Sequence, residues 1–567
     1  MSKFRFALCS VIVAGLVACQ EPLVVDNKNN ADIDRALATP ADLENFISAT
    51  YLTAHQGTLG GSNDALQTQL IVMGFESVSG LANFAMGPRG AVPRGMIDNS
   101  PNGTGDAGNL RDFTVEHRAA RMATVGLYRL TKITLGSPAR DARARAFAHF
   151  SLGVALGNLA LAYDSASILT QNDNFSAIIP FSGYQAVMTA ALAHIDTAIT
   201  IASQPTPIGP TADWFPLPST WIAGQPLTVA QFVQFARSYR ARFRAGVARD
   251  PTARAAVDWT QVIADANAGI TADFNIAMNP NNGWDVSWVI QAYATGSASW
   301  HQMSQFILGM ADTSGGYDGW LGTPNAGRSP FAVITKDKRY PSGGSACGLA
   351  PAPTTCRTAQ QGVAVAGTFT TFPYWRNRTE DAPAPTIGAS QYDFFRSRAF
   401  SLAARIGNYP IMTATEIRLL AAEGYFRAGA AADFTQAINR INVSRIAAGL
   451  DSIPNVVADT TTPVPGGEVG CIPHITDAAQ SFTRSHCGNV WDALKYEYRM
   501  ETAFTGYGMW YFASRGWGDL PEGTAIHWPV PNEELLLRGK GIYGLGGVGL
   551  PGGSGRGNYG LFTGGVY

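Results

Sequence analysis

Residues 39–51, TPADLENFISATY, carry the pattern that most restricts how this chain can fold. Thr39 is a capping residue, Pro40 suits the first helical position and Asp42 the third, which together start a helix. Leu43, Phe46, Ile47, Thr50 and Tyr51 then recur at i, i+3, i+4, i+7 and i+8, the apolar stripe of an amphipathic helix. The same periodicity predicts helices at about 111–133, 138–163, 183–203, 228–248 and 253–269. Such a succession points to a mainly α fold built of tetratricopeptide-like hairpins, although no strict 34-residue repeat is visible. Stacked hairpins bury a continuous apolar face and leave a concave surface.

Two segments of this helical part invite other readings. AFAHFSLGVALGNLALAY, residues 146–163, is long and apolar, but Ala and Gly dominate it and His149, Ser151 and Asn158 interrupt it. It reads as a buried helix rather than a membrane span. Six arginines lie between Arg237 and Arg254. Phe232, Phe235, Tyr239 and Phe243 form a separate helical stripe, so the arginines are assigned to a solvated or ion-paired face. With a net charge of −1 over the chain, no nucleic-acid partner is expected.

The chain opens with a short basic start, Ser2–Arg5, and an apolar core, Phe6–Leu16, too short to span a bilayer as a helix. Leu16-Val17-Ala18-Cys19 follows, and it resembles the lipobox of bacterial lipoproteins, in which the cysteine is acylated and becomes the mature N-terminus. Cys19 is therefore the expected lipidation site and residues 1–18 the signal peptide; a plain signal peptide with an incidental cysteine is the alternative. Gln20 rather than Asp after the cysteine implies, for lipoproteins generally, passage to the outer membrane. Residues 19–36 read as a lipidated tether, making the protein anchored rather than spanning.

Cys347, Cys356, Cys471 and Cys487 sit in Gly/Pro/Thr-rich stretches of a chain expected to be exported. Bridges Cys347–Cys356 and Cys471–Cys487 are the economical pairing of three possible ones. A zinc site from Cys471, His474, His486 and Cys487 is the alternative, weakened by the lack of any Cys-x-x-Cys spacing. No metal or cofactor is expected.

Residues 271–410 change character, being rich in Gly, Pro, Thr, Asn and aromatic residues. Such density of rings argues for ordered, functional loops rather than disorder. The expected ligand contacts come from here: Trp284, Trp288, Trp300, Tyr317, Asp318, Trp320, Trp375 and Arg376, with Asn282 and Asp285 as further polar neighbours. Flat rings offer apolar area at little conformational cost, and carboxylates or guanidinium groups beside them take a ligand's polar groups. Trp320, on Tyr317-Asp318-Gly319-Trp320, is expected to project from a glycine-flexed loop. Trp491, Trp510 and Trp517 are expected in the core.

Helices return at about 413–428, 433–448 and 489–504, before a Gly-rich tail over 539–567. Three blocks here, ATEIRLLAAEGYFRAG (414–429) with AINRINVSRIAAGL (437–450), YEYRMETAFTGYGMWYFASRGWGDL (496–520) and GTAIHWPVPNEEL (523–535), resemble the SusD/RagB family of outer-membrane nutrient-binding lipoproteins. ATPADLENFISATY (38–51), DWTQVIADANAGI (258–270), Asp337-Lys338-Arg339-Tyr340 and the lipobox are similar to that family too. The chain departs from it around Phe504–Gly508 and at Tyr511, where the family carries charged residues. The resemblance implies a helical N-terminal region over 37–270, an irregular ligand-binding section over 271–410 and a C-terminal RagB/SusD region over 411–567. It also implies a non-catalytic surface protein that captures oligosaccharides or peptides for a SusC-like TonB-dependent transporter.

Other classes find less in the residues. His-Glu-x-x-His, Cys-x-x-Cys and Gly-x-Ser-x-Gly are missing from the sequence. Gly539–Gly544 matches G-x-G-x-x-G, but glycines follow where a helix must begin. Glu533–Glu534, or Glu76 with Asp98, would have to face each other across a cleft to serve a glycosidase. A secreted glycan-active enzyme and a structural or adhesion lipoprotein stay open as alternatives.

Overall fold

A computed structural model describes residues 33–60, 65–79, 83–103, 109–204, 214–286, 301–324, 327–341, 372–377 and 390–555. Cys19, the signal peptide, most of the tether, Trp288, Trp300, Cys347 and Cys356 lie outside the described residues.

The helical part begins with α1 (Pro40–Ser48) and α2 (Thr50–Thr58), followed by α3 (Asn109–Arg129), α4 (Pro138–Ala162), α5 (Tyr184–Ala202), α6 (Val229–Gly246) and α7 (Trp259–Asn267). Capping chemistry fixes their starts. The Thr39 hydroxyl accepts from Asp42 N at 3.2 Å and the Ser137 hydroxyl from Arg140 N at 3.2 Å, each with proline at the next position. Thr228 and Gln231 close a reciprocal capping box on α6.

Helix α4 is the spine: it packs against α3 and α5, and nearly its whole length is buried. Its small residues explain that position. A Cβ on Gly157 would lie 2.1 Å from Phe243, and one on Gly153 would lie 2.6 Å from Ile195. Only glycine lets α5 and α6 approach that closely. The run at 146–163 is thus buried in protein on all sides. At its end, the buried Arg249 donates to the carbonyls of Ala160 at 2.6 Å and Tyr163 at 3.1 Å, and also to Leu161 O. These are the carbonyls that a helix C-terminus leaves unpaired.

Five of the six arginines on and after α6 are ion-paired, Arg249 being the exception, and half of the six are buried rather than solvated. Asp265 on α7 sits 3.1–3.6 Å from Arg237, Arg240 and Arg244. Arg242 meets Glu416 at 2.7 Å and Arg254 meets Glu423 at 2.6 Å. Both acids lie on α9 (Ala414–Ala428), which pairs with α10 (Ala431–Ala447) in the C-terminal part.

Helix α8 (Gly316–Gly322) lies between these helical parts, and short antiparallel strand pairs lie both between and within them. Strand β1 (Ser165–Ser167) pairs β2 (Phe181–Gly183), β3 (Phe274–Met278) pairs β6 (Gly407–Met412), and β4 (Trp375–Asn377) pairs β5 (Tyr392–Phe394). Strand β7 (His474–Thr476) pairs β8 (Ser485–Cys487) in register His474↔Cys487. Cys471 and Cys487 are joined by a disulfide with Cα atoms 5.9 Å apart. The chain continues through α11 (Val490–Thr502), α12 (Met509–Trp517) and α13 (Asn532–Leu537). Trp510 is buried, whereas Trp491 and Trp517 are partly buried against the core.

A charged cluster ties the middle section to α11. Arg339 donates to Asp337 at 2.9 Å, to Glu497 at 2.9 and 3.1 Å and to Glu501 at 3.3 Å. Tyr496 Oη donates to Asp337 at 2.6 Å, and Arg445 and Arg396 stand 3.7 Å from Glu497 and Glu501. Burial opposes the charge on Arg339, but Asp337 and Glu497 outweigh it and raise its pKa well above the ordinary value.

Candidate functional site

Most of the contact residues expected from sequence are core residues, which corrects the picture of projecting rings. Residues 316–322 are helical, and Trp320, 6 % exposed, turns inward onto Phe306 at 5.0 Å between ring centroids. The guanidinium of Arg328 covers its other side at 4.3 Å. Tyr317 stacks beside Trp320 at 6.4 Å. Trp284 packs far off on α2, 5.2 Å from His55 and 6.2 Å from Tyr51. Trp375 stacks on Tyr340 at 5.3 Å, and the neighbouring Arg376 is buried with Asp393 at 2.6 and 2.7 Å. That last pair faces directly across β4–β5. The rings share one reason: an indole or phenol gains more by burying its large apolar area than by staying at the surface. Asp285 is likewise engaged, by Arg405 at 2.6 Å, while Asn282 is exposed.

Asp318 behaves differently. It lies in the first turn of α8 and lines a polar cleft of about 220 Å³ with Asp312, Gly315, Tyr317, Glu468, Val469, His474, Arg484 and Ser485. The walls come from segments far apart in the sequence: α8 and the loop before it on one side, the disulfide-tied β7–β8 hairpin and the residues just before it on the other. Two contacts hold them together. Asp318 Oδ1 accepts from Ser485 N at 2.7 Å and from its hydroxyl at 2.6 Å, and His474 N donates to Met310 O at 2.8 Å.

The polar groups of the cleft divide into structural and free ones. Asp312 is occupied, accepting from Ser314 Oγ at 2.8 Å, Tyr317 N at 3.1 Å and Ile334 N at 3.2 Å. His474 is 7 % exposed; its Nε2 donates to Glu468 O at 3.1 Å, and its Nδ1 has no partner among the described residues. The Arg484 side chain is exposed and forms no ion pair among the described residues. Val469, 66 % exposed, gives the rim an apolar spot. Free donors on Arg484, acceptors on Asp318, Glu468 and His474, and a lining more polar than apolar suit a ligand rich in hydroxyl or amide groups.

Of the residues expected to bind ligand, the structure brings only Tyr317 and Asp318 to this cleft among the described ones. Sequence reasoning missed Glu468, Arg484 and Ser485. The signal available was the Cys471/Cys487 pair, which marks 471–487 as a pinned hairpin able to present side chains.

No protein-family model matches the sequence, and no curated protein matches it. Solved structures do. A SusD homolog from Parabacteroides distasonis superposes with a TM-score of 0.50 at 13 % identity, covering 88 % of this chain and 93 % of that one. The fold is SusD-like. A SusD superfamily protein from Bacteroides vulgatus gives a TM-score of 0.48 at 12 % identity, over 88 % of this chain and 90 % of that one. Surface glycan-binding protein A from Bacteroides uniformis gives 0.47 at 15 % identity, over 86 % and 92 %. The assignment of this SusD-like fold stands on the first of the three.

Proposed function

We propose that this chain is a lipid-anchored outer-membrane surface protein of the SusD/RagB type. It captures oligosaccharides, or peptides, and passes them to a SusC-like TonB-dependent transporter without chemically altering them. The observation that carries the proposal is the SusD-like fold over 88 % of the chain, joined to the lipobox-like Leu16–Cys19.

The cleft around Asp318 is the binding site in this reading. A sugar or peptide needs donors and acceptors arranged around a solvated opening, and Arg484, Asp318, Glu468 and His474 supply both kinds. Trp288 and Trp300 keep, as part of the proposal, the stacking role their sequence context suggests.

Titration of a panel of oligosaccharides and short peptides into the purified protein tests capture. A ligand should bind and be recovered uncut. Because Arg484 is exposed, Arg484→Ala should keep the melting temperature and weaken that ligand about tenfold, the usual loss for a hydrogen bond to a charged group. Hydrolysis of the ligand would turn the case toward the enzyme alternative, and unchanged affinity in Arg484→Ala would move the site elsewhere. Anchoring has its own check. Cys19→Ala should shift the protein from the membrane to the soluble fraction and abolish labelling by a palmitate analogue; retention of both would defeat the lipoprotein reading.

A further inference from the structure

A second cavity, of about 310 Å³, opens between α3, the loop joining β1 to β2, and α13. Its size lies at the lower end of small-molecule sites. The walls are largely aliphatic: Leu169, Ile178, Ile179 and Leu537, over the ring of Phe113. Ile178 is 61 % exposed and Leu537 70 %, among the most exposed large apolar side chains described. Apolar side chains left bare around a concavity mark a place where something docks.

Three guanidinium groups ring this apolar floor, and two have their charge answered within the chain. Arg538 donates to Ile179 O at 2.6 Å, pairs with Glu534 at 3.4 Å and lies over Phe181 at 3.9 Å. Arg121 stands 3.9 Å from Asp173, whose carboxylate already accepts from Thr170 N and Oγ1 at 2.7 Å each. Arg118, one helical turn from Thr114 and exposed, has no acidic partner among the described residues. The imidazole of His117 offers no free nitrogen: Nδ1 donates to Phe113 O at 2.8 Å, and Nε2 accepts from Ser167 N at 3.2 Å. Burial, together with the charges of Arg538 and Arg121, holds that ring's pKa down to about 4, so it stays neutral beside the arginines.

We propose that this cavity binds an amphipathic monocarboxylate, its hydrocarbon chain on Leu169, Ile178, Ile179 and Leu537 and its carboxylate on Arg118. One uncompensated guanidinium matches one carboxylate in charge and in its planar two-point geometry. A dianion would need a second free cation. A sugar would find few unengaged acceptors and would leave its hydroxyls against aliphatic walls. The site is separate from the Asp318 cleft and does not depend on the nutrient-capture proposal.

Calorimetric titration of the full chain with octanoate and, in parallel, octan-1-ol tests this. Octanoate should bind saturably at one site, at least tenfold tighter than the alcohol. Arg118→Ala should bring octanoate down to the affinity of the alcohol, and Ile178→Asp should abolish both. Each side chain is exposed, so melting temperatures should hold, and Arg484→Ala should leave octanoate binding unchanged. The proposal is overturned if octanoate fails to saturate at millimolar concentration. It is equally overturned if neither Arg118→Ala nor Ile178→Asp weakens its binding.

Discussion

Arg339→Ala is expected to lower the unfolding free energy by about 3–5 kcal/mol, because it strands buried carboxylates that have no other full partner. Asp337 and Glu497 are fully buried and Glu501 nearly so. Neither Arg445 nor Arg396, each 3.7 Å from one of these acids, is close enough to replace two-point contacts at 2.9–3.3 Å. Arg339→Lys should recover only part of the loss, since an ammonium group cannot reach three carboxylates with a flat fork. Urea unfolding followed by circular dichroism decides the matter. A loss under about 1 kcal/mol for the alanine variant, as for a surface pair, would show that the cluster is not what joins residues 337–339 to α11.

Glu76→Gln is expected to stabilise the protein at pH 9 and to change it little at pH 5. Glu76 is buried and accepts from Phe504 N, and desolvation raises its pKa to about 8 against the weaker opposing pull of that bond. A carboxyl raised in the folded state binds a proton that the unfolded chain releases near pH 4.5. Its contribution is therefore full below that value and is lost as pH rises through 8. At about 1.4 kcal/mol per pH unit, the total loss is on the order of 5 kcal/mol. Glutamine keeps an acceptor for Phe504 N and has no proton to lose. Burial also raises Glu116, Glu497, Asp164 and Asp265, so the wild-type slope has several sources. The difference between the two proteins isolates Glu76. Parallel stability curves from pH 5 to 9 would refute its raised pKa.

The helices were legible because their signals are local. Thr39-Pro40 and Ser137-Pro138 mark starts within one residue, and the Phe232–Phe243 stripe fixes both the extent and the buried face of α6. What lay hidden depends on partners far along the chain. No local pattern tells that Arg242 and Arg254 are buried while Arg237 is not, since their acids lie 174 and 169 residues away. The aromatic residues of the middle section misled for the same reason. A ring between glycines looks exposed until the surface that covers it is known, and Trp320 is covered by Phe306 and Arg328. Asp318 reaches the cleft from the first turn of a helix, not from the glycine-flexed loop that its neighbours suggest. Its partner Ser485 sits on a hairpin 167 residues later.

The long ion pairs also bear on how the chain unfolds. Arg242–Glu416, Arg254–Glu423 and the Glu76–Phe504 bond each close a loop of well over a hundred residues around a buried charge or carboxyl. If α9 or the segment after α11 peeled away, those groups would face an apolar interior without partners, at several kcal/mol each. Partial opening of the C-terminal third is thus penalised inside the N-terminal helices, and both ends share one cooperative unit. Slow amide exchange should accordingly run through α4, α6, α9 and α11 with a common opening energy, and fragments ending near residue 410 should not hold a native core.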